Sequence, residues 1–400
     1  MSLDLDFVRA QFPAFSEPSL QGQAFFENAG GSYTCRQVID RLTRYYTQRK
    51  VQPYAPYAAS QLAGAEMDAA RTGLARLLGV AEDEVSFGPS TTQNTYVLAQ
   101  AFRRFLSPGE AIIVTNQDHE ANSGPWRRLA EDGIEVREWC VNPDTGALDP
   151  DDLRALLDDT VRLVCFPHCS NVVGQINPVV DITAAAHMAG AFVCVDGVSY
   201  APHGLPNVGD LGADIYLFSA YKTYGPHQGI MAIRRELAEL LPNQGHHFNG
   251  DSLSKRFTPA GPDHAQVAAC AGMVDYIDAL AAHHGTDAAG VAQAMRAHEV
   301  ALTQPLLDML AERNDLRLIG PRDAASRAPT VAVALDRPAE PVAAELAQHG
   351  IMTGGGDFYA ARPLQAMGVD PNQGVLRLSF VHYTTPSEVD ALIRALGAVL

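Results

Sequence analysis

The period of the hydrophobic pattern changes repeatedly along the middle of the chain. Between about residue 60 and residue 235, short apolar runs alternate with longer stretches of helical periodicity. This alternation is typical of βαβ units and predicts an α/β domain on a mainly parallel sheet. The apolar runs do not alternate strictly, as expected of strands that are buried on both faces. The predicted strands are AIIVTN (111–116), RLVCFPH (162–168), AFVCVDG (191–197) and DIYLFSA (214–220).

The pattern is different after about residue 265. Ala- and Leu-rich segments predict long helices over 267–284 and 290–312. Two further strands are predicted beyond them, TVAVAL (330–335) and VLRLSFVHY (375–383). A helix should therefore lead from the first unit into a smaller α+β unit.

These patterns predict two domains. At 400 residues the chain is long for a single core. We expect a large domain of residues 16–275 and a small domain of residues 276–400 together with residues 1–15, with a cleft between them. The segment 260–263 and the glycines 354–356 are predicted to be loops because of their backbone freedom.

Polar residues follow the predicted strands where each strand ends. Ligands of open α/β sheets bind at the carboxyl ends of the strands, so these residues should converge on one crevice. The four strand-end segments are Asn116 to Asn122, His168 to Asn171, Asp196 to Ser199, and Ser219 to Lys222.

The charge of the chain argues against some classes of partner. The formal net charge is -17, and no basic run is longer than two residues. Nucleic acids and anionic membranes attract clustered Lys and Arg, so we expect neither as a partner. No apolar stretch reaches the about 18 residues that cross a bilayer, and the acidic start MSLDLDFVRAQFPAF is unlike a signal peptide. We expect a cytoplasmic protein.

The six cysteines show neither a CxxC pair nor the spacing of a metal finger. We expect reduced thiols and no metal site. His168 and Cys169 with Cys165 come nearest to a ligand cluster, but Cys165 lies in the apolar run LVCF and should face a core.

A lysine and a carboxylate stand at two of the strand ends. Aromatic and small residues flank Lys222 in SAYKTYGP, and they could desolvate its amine and lower its pKa. The alternative is a surface charge. Asp196 ends the run AFVCVD, where a buried carboxylate needs a cationic or hydrogen-bonding partner. Its alternative is a solvated turn aspartate.

Three further positions could bind an anion, an aromatic ring and a carboxylate. Ser90, Thr91 and Thr92 precede a helical run, where an anion is favoured, although they could form an ordinary N-cap. His119 could stack on an aromatic ring or cap a helix. Arg377 interrupts an apolar strand and could hold a carboxylate bidentately or form a structural ion pair.

Together these groups match what pyridoxal 5′-phosphate (PLP) requires of a protein. PLP has an aldehyde that binds a lysine, a ring nitrogen that must stay protonated, and a dianionic phosphate. We therefore expect Lys222 to bind the aldehyde and Asp196 to face the ring nitrogen.

Six collinear motifs resemble those of the class V aminotransferase superfamily, whose members are fold type I PLP enzymes and include cysteine desulfurases and isopenicillin N epimerase-like proteins. The resemblance spans nearly the whole chain. The motifs are STTQNTYVLA, DHEANSGPW, SNVVGQINPV, VDGVSYAPH, FSAYKTYGPHQG and RLSFVHYTTPSEVDALI.

The resemblance implies roles for individual residues. The phosphate would be held by Thr91, Thr92, Ser219 and Tyr221, and His119 would stack on the ring, with Asn171 and Ser199 near its hydroxyl, Asp196 at its nitrogen and Lys222 at its aldehyde. Arg377 would bind the substrate carboxylate, and Asn28 is a further predicted substrate-binding residue. Family members are usually homodimers in which one loop reaches the partner's phosphate. Here that loop is Pro259 to Asp263, which lacks the family's threonine.

The expected activity is the conversion of a small amino acid by transamination or β-elimination, with Lys222 abstracting the α-proton. A cysteine desulfurase or C–S lyase is the alternative. Desulfurases carry a cysteine on a loop that here reads GGGDFYAARPL, no cysteine follows Cys270, and Cys169 is the only thiol near the motifs. A nucleotide-binding Rossmann protein is disfavoured because no GxGxxG follows an early strand. A non-catalytic PLP-binding protein is the remaining hypothesis.

Overall fold

A computed structural model describes residues 2–400 and contains one large sheet. Its strands are β1 (Ala24–Phe25), β2 (Val85–Gly88), β3 (Ala111–Thr115), β4 (Glu135–Trp139), β5 (Val161–Pro167), β6 (Phe192–Asp196), β7 (Ile215–Ser219), β8 (Gly229–Ile233), β9 (Leu316–Ile319), β10 (Thr330–Leu335), β11 (Ile351–Met352), β12 (Gly354–Gly356) and β13 (Val375–Ser379). The large sheet has the order β2-β8-β7-β6-β5-β3-β4. Only β8 runs antiparallel to its neighbours in this sheet. The prediction of a mainly parallel sheet is confirmed.

Helices cover both faces of this sheet. The α-helices of the described chain, including those of its C-terminal part, are α1 (Leu5–Ala10), α2 (Arg36–Arg44), α3 (Ala58–Leu78), α4 (Thr91–Phe105), α5 (Glu120–Arg127), α6 (Pro150–Leu156), α7 (Val179–Met188), α8 (Val208–Leu211), α9 (Arg235–Leu240), α10 (Leu253–Arg256), α11 (His264–Ala269), α12 (Ala271–His284), α13 (Ala288–Ala311), α14 (Ala339–Gln348), α15 (Ala361–Ala366) and α16 (Pro386–Val399). Along β3, Ile113 packs into the core with α3 and α12, whereas Ile112 and Val114 pack into the core with α4, α5 and α9. Burial on both faces explains why the strands read as continuous apolar runs.

A second, antiparallel sheet of order β12-β13-β10-β9 lies in the C-terminal part of the chain. Its core gathers Leu306 of α13, Leu346 of α14 and Leu392 of α16. Phe26 joins the same core from the N-terminal part, because β1 pairs with β11 and Glu27 bridges to Ser379. The division into domains at residue 275 stays a prediction.

The glycines 354–356 form strand β12, so the prediction of a loop was wrong. Gly355 pairs with Leu376 of β13, and a Cβ atom on Gly355 would lie 2.3 Å from the backbone carbonyl carbon of Ala339. A close approach to α14 therefore requires glycine here. Predicted strand 375–383 is also shorter than expected and ends at Ser379.

The two predicted helices after residue 265 are present. The first is divided at Cys270 into α11 and α12, and the second corresponds to α13. Among residues 2–400, none of the helices combines the length and the apolar character needed to span a bilayer.

Candidate active site

The carboxyl ends of β5, β6 and β7 and the start of α4 surround a cavity of about 300 Å³. Its walls include Thr91, Thr92, His119, Asn171, Asp196, Ser199, Ser219, Tyr221 and Lys222, nine residues that the sequence had indicated. An adjoining cavity of about 550 Å³ shares His119, Asn171 and Lys222 and adds Arg377. The fold thus collects polar side chains from the whole length of the chain at one edge of the sheet.

The start of α4 offers an anion site to the first cavity. Ser90 caps the helix, since its Oγ accepts a hydrogen bond from the backbone N–H of Gln93 at 3.2 Å. The hydroxyls of Thr91 and Ser219 are 2.8 Å apart. Strand β8 passes so close that a Cβ atom on Gly229 would lie 2.6 Å from the backbone nitrogen of Thr91. The N-terminus of a fifteen-residue helix, lined by hydroxyls, suits a phosphate.

Asp196 is a buried carboxylate at the end of β6 and not a solvated turn residue. Its Oδ1 accepts a hydrogen bond from the backbone N–H of Val198 at 2.8 Å. Burial raises its pKa to about 6, against the opposite effects of Val198 and of the Lys222 charge. Such a carboxylate gains from a cationic N–H partner, which would offset the cost of desolvation.

Lys222 follows β7 directly and is 8% exposed. Burial, together with the charge of Arg377, lowers its pKa to about 8. A substantial fraction of the amine is therefore neutral near pH 8, as a nucleophile or a general base requires. Ser32 fixes the backbone, since its hydroxyl donates to the carbonyl oxygen of Lys222 at 2.6 Å.

His119 caps α5 and still faces both cavities. Its Nδ1 accepts a hydrogen bond from the backbone N–H of Ala121 at 3.0 Å, so the neutral ring carries its proton on Nε2. Burial, with the nearby charges of Lys222 and Arg377, lowers the pKa of His119 to about 3. The ring is thus a neutral, flat surface beside the lysine.

Arg377 is buried and forms an ion pair with Glu27, with Nη2 lying 2.6 Å from Oε1. Its guanidinium lies over the ring of Phe358, 3.7 Å from the centroid, and Nη1 donates to the carbonyl oxygen of Asn171 at 3.3 Å. The structural ion pair that the sequence left open is therefore present, although Arg377 also lines the second cavity.

The loop before α15 closes one side of the second cavity. Asn171 Nδ2 donates to the carbonyl oxygen of Phe358 at 3.0 Å, and the backbone N–H of Glu120 donates to the carbonyl oxygen of Tyr359 at 2.8 Å. Phe358 and Tyr359 both have positive φ, 52° and 56°. An ion pair between Arg362 and Glu120 at 3.0 Å also joins the loop to α5. Aromatic side chains occupy this loop, and no thiol does.

Asn28 lies apart from the other predicted site residues. Its Nδ2 donates to the carbonyl oxygen of Ser379 at 3.2 Å, and its Oδ1 accepts from the hydroxyl of Tyr383. Both ends of the amide are thus engaged within the fold, and neither cavity includes Asn28 in its walls. Its neighbour Glu27 faces the second cavity instead.

Sequence reasoning did not assign a role to several side chains at these cavities, among them Glu27, Asp118, His227 and Tyr359. Asp118 is fully enclosed, and burial and the nearby charge of Asp196 raise its pKa well above the ordinary value. The ring of His227 stacks on that of Tyr221 at a centroid distance of 4.9 Å. Asp118 and His227 lie within motifs already quoted, and the position of Asp118 after the end of β3 was an available signal.

Comparison with known proteins identifies the family. The family model described as aminotransferase class-V matches residues 24–392. The aminotransferase-like protein FGM3 of Gibberella zeae is 35% identical over 411 residues, covering 100% of this chain and 99% of that protein. The chain belongs to the class V aminotransferase family.

Other class V relatives point to the same cofactor and fold. A cysteine desulfurase of Yersinia pseudotuberculosis is 32% identical, covering 100% of this chain and 99% of that protein. The crystal structure of the cysteine desulfurase CsdA from Escherichia coli matches with a TM-score of 0.84 at 26% identity, covering 100% and 99% of the two chains. Class V aminotransferases and cysteine desulfurases use PLP, so the chain is a PLP-dependent enzyme of fold type I. The sequence predictions of fold class, cofactor and enzyme class are confirmed.

The residues around the first cavity fit PLP. Two buried oxygens on its walls, Asn171 Oδ1 and Asp118 Oδ1, have no hydrogen-bond partner among the described residues. A helix N-terminus, a buried carboxylate and a lysine amine surround the same space. The cavity volume is also within the range of about 300 to 1,000 Å³ that is usual for small-molecule sites.

Proposed function

We propose that this enzyme converts a small amino acid at its α-carbon, by transamination or by β-elimination. The observation that carries the proposal is the position of Lys222, whose buried amine of lowered pKa lies in one cavity with Asp196 and His119. Bound PLP supplies an electron sink for the charge that develops when a bond to the α-carbon breaks.

Different residues of the first cavity would bind different groups of PLP. Thr91, Thr92 and Ser219, at and beside the start of α4, would hold the phosphate with the hydroxyl of Tyr221. His119 would lie against the ring, and Asn171 and Ser199 would lie near its hydroxyl. Asp196 would keep the ring nitrogen protonated, because a buried carboxylate strongly favours a cationic N–H partner.

Lys222 would have two tasks. Its amine would hold the cofactor, and as a free amine it would be a base placed to accept the α-proton of the substrate. A pKa lowered to about 8 suits this second task, since part of the amine is then neutral near physiological pH. Arg377 would orient the substrate through its carboxylate, and Asn28 stays a predicted substrate-binding residue.

A C–S lyase or cysteine desulfurase is a second candidate, favoured by the curated relatives that carry the name cysteine desulfurase. A persulfide route needs a reactive thiol at the substrate. Cys169 lines the first cavity, but burial raises its pKa to about 12 and its Sγ donates to the carbonyl oxygen of Gly174 at 3.2 Å. Release of sulfur by β-elimination is therefore better supported than transfer to the protein.

A screen of the PLP-loaded enzyme against the common amino acids tests the proposal. Release of a keto acid that depends on an added keto-acid acceptor identifies transamination. Release of pyruvate without an acceptor identifies β-elimination, and sulfide released from cysteine together with pyruvate, not alanine, identifies the lyase. A protein that binds PLP at Lys222 and converts none of these substrates would be a non-catalytic binder, contrary to the proposal.

We further propose a homodimer in the cytoplasm. Exposed aromatic side chains support an interface, since Tyr54 and Phe248, 55% and 72% exposed, border a groove that the loop at Ala260 and Gly261 also lines. Six free thiols suit a reducing compartment. Analytical ultracentrifugation should give twice the chain mass of 42.9 kDa, and Phe248→Ser should shift the distribution towards monomer. A parent protein that stays monomeric at micromolar concentration would contradict the dimer.

A further inference from the structure

Glu27 lies beside the arginine proposed to bind the substrate carboxylate. It approaches the second cavity from the turn after β1, and its Oε1 accepts a hydrogen bond from Nη2 of Arg377. Nη1 of Arg377 donates a hydrogen bond to the carbonyl oxygen of Asn171, and Nε of Arg377 has no partner among residues 2–400. The arginine proposed to bind the substrate therefore already forms an ion pair with a carboxylate of the protein and keeps a free donor at Nε among the described residues.

The second oxygen of Glu27 has no hydrogen-bond partner among the described residues. Oε2 is buried without a donor in the described part of the chain, although the Glu27 side chain as a whole is 27% exposed. An unpaired buried carboxylate oxygen is costly, and a donor from a ligand would remove that cost. One carboxylate oxygen of Glu27 thus pairs with Arg377, and the other can accept a hydrogen bond from a ligand.

Two glycines make room for this carboxylate. A Cβ atom on Gly30 would lie 2.8 Å from Oε1 of Glu27, and a Cβ atom on Gly354 would lie 3.1 Å from Oε2. Each oxygen thus faces a backbone that carries no side chain. The Glu27 carboxylate therefore lies close to two backbone segments in the wall of the cavity.

The other charges around the cavity leave Glu27 the acid nearest to Arg377. Lys222 and His119 face the same space, with His119 neutral. Glu120 lines the rim, but it is 51% exposed and pairs with Arg362. A ligand held by Arg377 therefore has the Glu27 carboxylate beside it. A donor on that ligand would be attracted, and a second carboxylate would be repelled.

We propose that Glu27 is a specificity-determining residue that selects amino acids whose side chain carries an ammonium or another hydrogen-bond donor and rejects acidic ones. The inference rests on the proposed function, because it takes Arg377 as the anchor of the substrate carboxylate. A substrate with both a carboxylate and a donor matches the paired charges of Arg377 and Glu27. A plain aliphatic amino acid satisfies Arg377 alone and leaves the Glu27 oxygen unpaired.

Three amino acids with the same five-carbon backbone test the proposal. Ornithine carries a terminal ammonium, norvaline a methyl group and glutamate a carboxylate. Their dissociation constants are measured by the change in visible absorbance of the PLP-loaded enzyme. The parent should bind ornithine best and glutamate worst. In Glu27→Gln the preference for ornithine over norvaline should fall by about tenfold, while glutamate should gain affinity.

Matched variants separate selection from a structural role. Asp278→Asn removes another acid that pairs with an arginine, at the exposed Arg76–Asp278 contact away from the cavities, and should keep the parental order. Glu27→Asp should keep the order with a smaller preference. If Glu27→Gln weakens all three ligands equally, the residue only positions Arg377 and the proposal is wrong. It is also wrong if the order of the ligands does not change in Glu27→Gln.

The proposed function fails in a different way. A parent protein that shows no visible absorbance of lysine-bound PLP would contradict the function and the inference together. Normal absorbance that responds to amino acids, with an unchanged order in Glu27→Gln, would contradict the inference alone.

Discussion

Lys222 lies where burial and the charge of Arg377 both oppose a positive charge on its amine, and its pKa falls to about 8. The sequence has only two other lysines, Lys50 and Lys255. We predict that Lys222→Ala abolishes the visible absorbance of PLP-loaded protein and leaves the circular dichroism spectrum unchanged. Lys50→Ala and Lys255→Ala are the controls and should absorb like the parent. Equal labelling of Lys222→Ala and the parent by borohydride reduction would assign the attachment to another lysine.

The charged carboxylate of Asp196 should lower the stability of the cofactor-free protein. Its folded pKa of about 6 lies above the ordinary value of 3.8, so the folded state binds this proton more tightly than the unfolded state. The free energy of unfolding therefore falls as pH rises from about 4 to about 6, and the whole penalty is present above that range. We predict that Asp196→Asn stabilises the PLP-free protein at pH 7 by up to about 3 kcal/mol, and by little at pH 4.

Urea denaturation of the parent and of Asp196→Asn, both free of PLP, measures this difference at the two pH values. Asp158→Asn is the control and should not stabilise the protein at pH 7, because hydrogen bonds from Thr160 lower the pKa of that exposed carboxylate and favour its charged form. A parent that is the more stable protein at pH 7 would show that the carboxylate has a compensating partner in the empty site.

At the scale of single residues, the residues at strand ends were predictable from sequence, whereas the contact between Glu27 and Arg377 was not. Lys222, Asp196 and His119 each follow an apolar run, so local pattern alone places them at one edge of a parallel sheet. Glu27 reaches the site through a bridge to Ser379, which is distant in sequence. No periodicity connects such positions, and Asn28, its neighbour, was singled out instead.

At the scale of elements, the buried strands β3, β5, β6 and β7 were predicted within a residue or two, because burial on both faces leaves a continuous apolar signature. Strand β12 has no such signature. It consists of three glycines, and its conformation depends on pairing with β13 and on the approach of α14. Its structure is determined by partners distant in sequence, which a local pattern does not contain.

The packing of β12 against α14 gives a test. A Cβ atom on Gly355 would lie 2.3 Å from the backbone carbonyl carbon of Ala339, closer than real side chains come to backbone. We predict that Gly355→Ala lowers the free energy of unfolding by about 2 to 4 kcal/mol. Gly397→Ala in α16 is the matched control. It has open space around its Cβ position, and alanine there should stabilise the helix by up to about 1 kcal/mol. Equal stability of Gly355→Ala and the parent would mean that α14 moves away freely.

At the scale of the whole molecule, the two sheets and their separate cores bring the chemistry of distant segments to one place. The large sheet supplies Lys222, Asp196 and His119, while β13 of the second sheet supplies Arg377. Polar contacts from Asn171 to Phe358 and from Glu120 to Arg362 join the two parts across the second cavity. A change in their relative position would therefore alter the distance between the base and the substrate anchor.

The positions of the cysteine thiols determine whether the protein can accept a sulfur atom from a substrate. Cys165 and Cys194 lie side by side on β5 and β6 in the core, and burial raises the pKa of Cys165 well above its ordinary value. Burial likewise raises the pKa of Cys169 to about 12, so at neutral pH its nucleophilic thiolate form is scarce. Cys140 is exposed but lines neither cavity.

We therefore predict that incubation with cysteine leaves no persulfide on the enzyme. The loop that covers the second cavity presents Phe358 and Tyr359 and no thiol, so nothing mobile can take sulfur from the substrate. Any sulfur released should leave as free sulfide by β-elimination, with pyruvate and ammonium as the other products, and should not form a protein persulfide with alanine as the product. Mass spectrometry after turnover checks this, with Cys169→Ala as the control. A stoichiometric adduct of about 32 Da that disappears in Cys169→Ala would show that this buried thiol becomes accessible during turnover, and the desulfurase hypothesis would then be the better one.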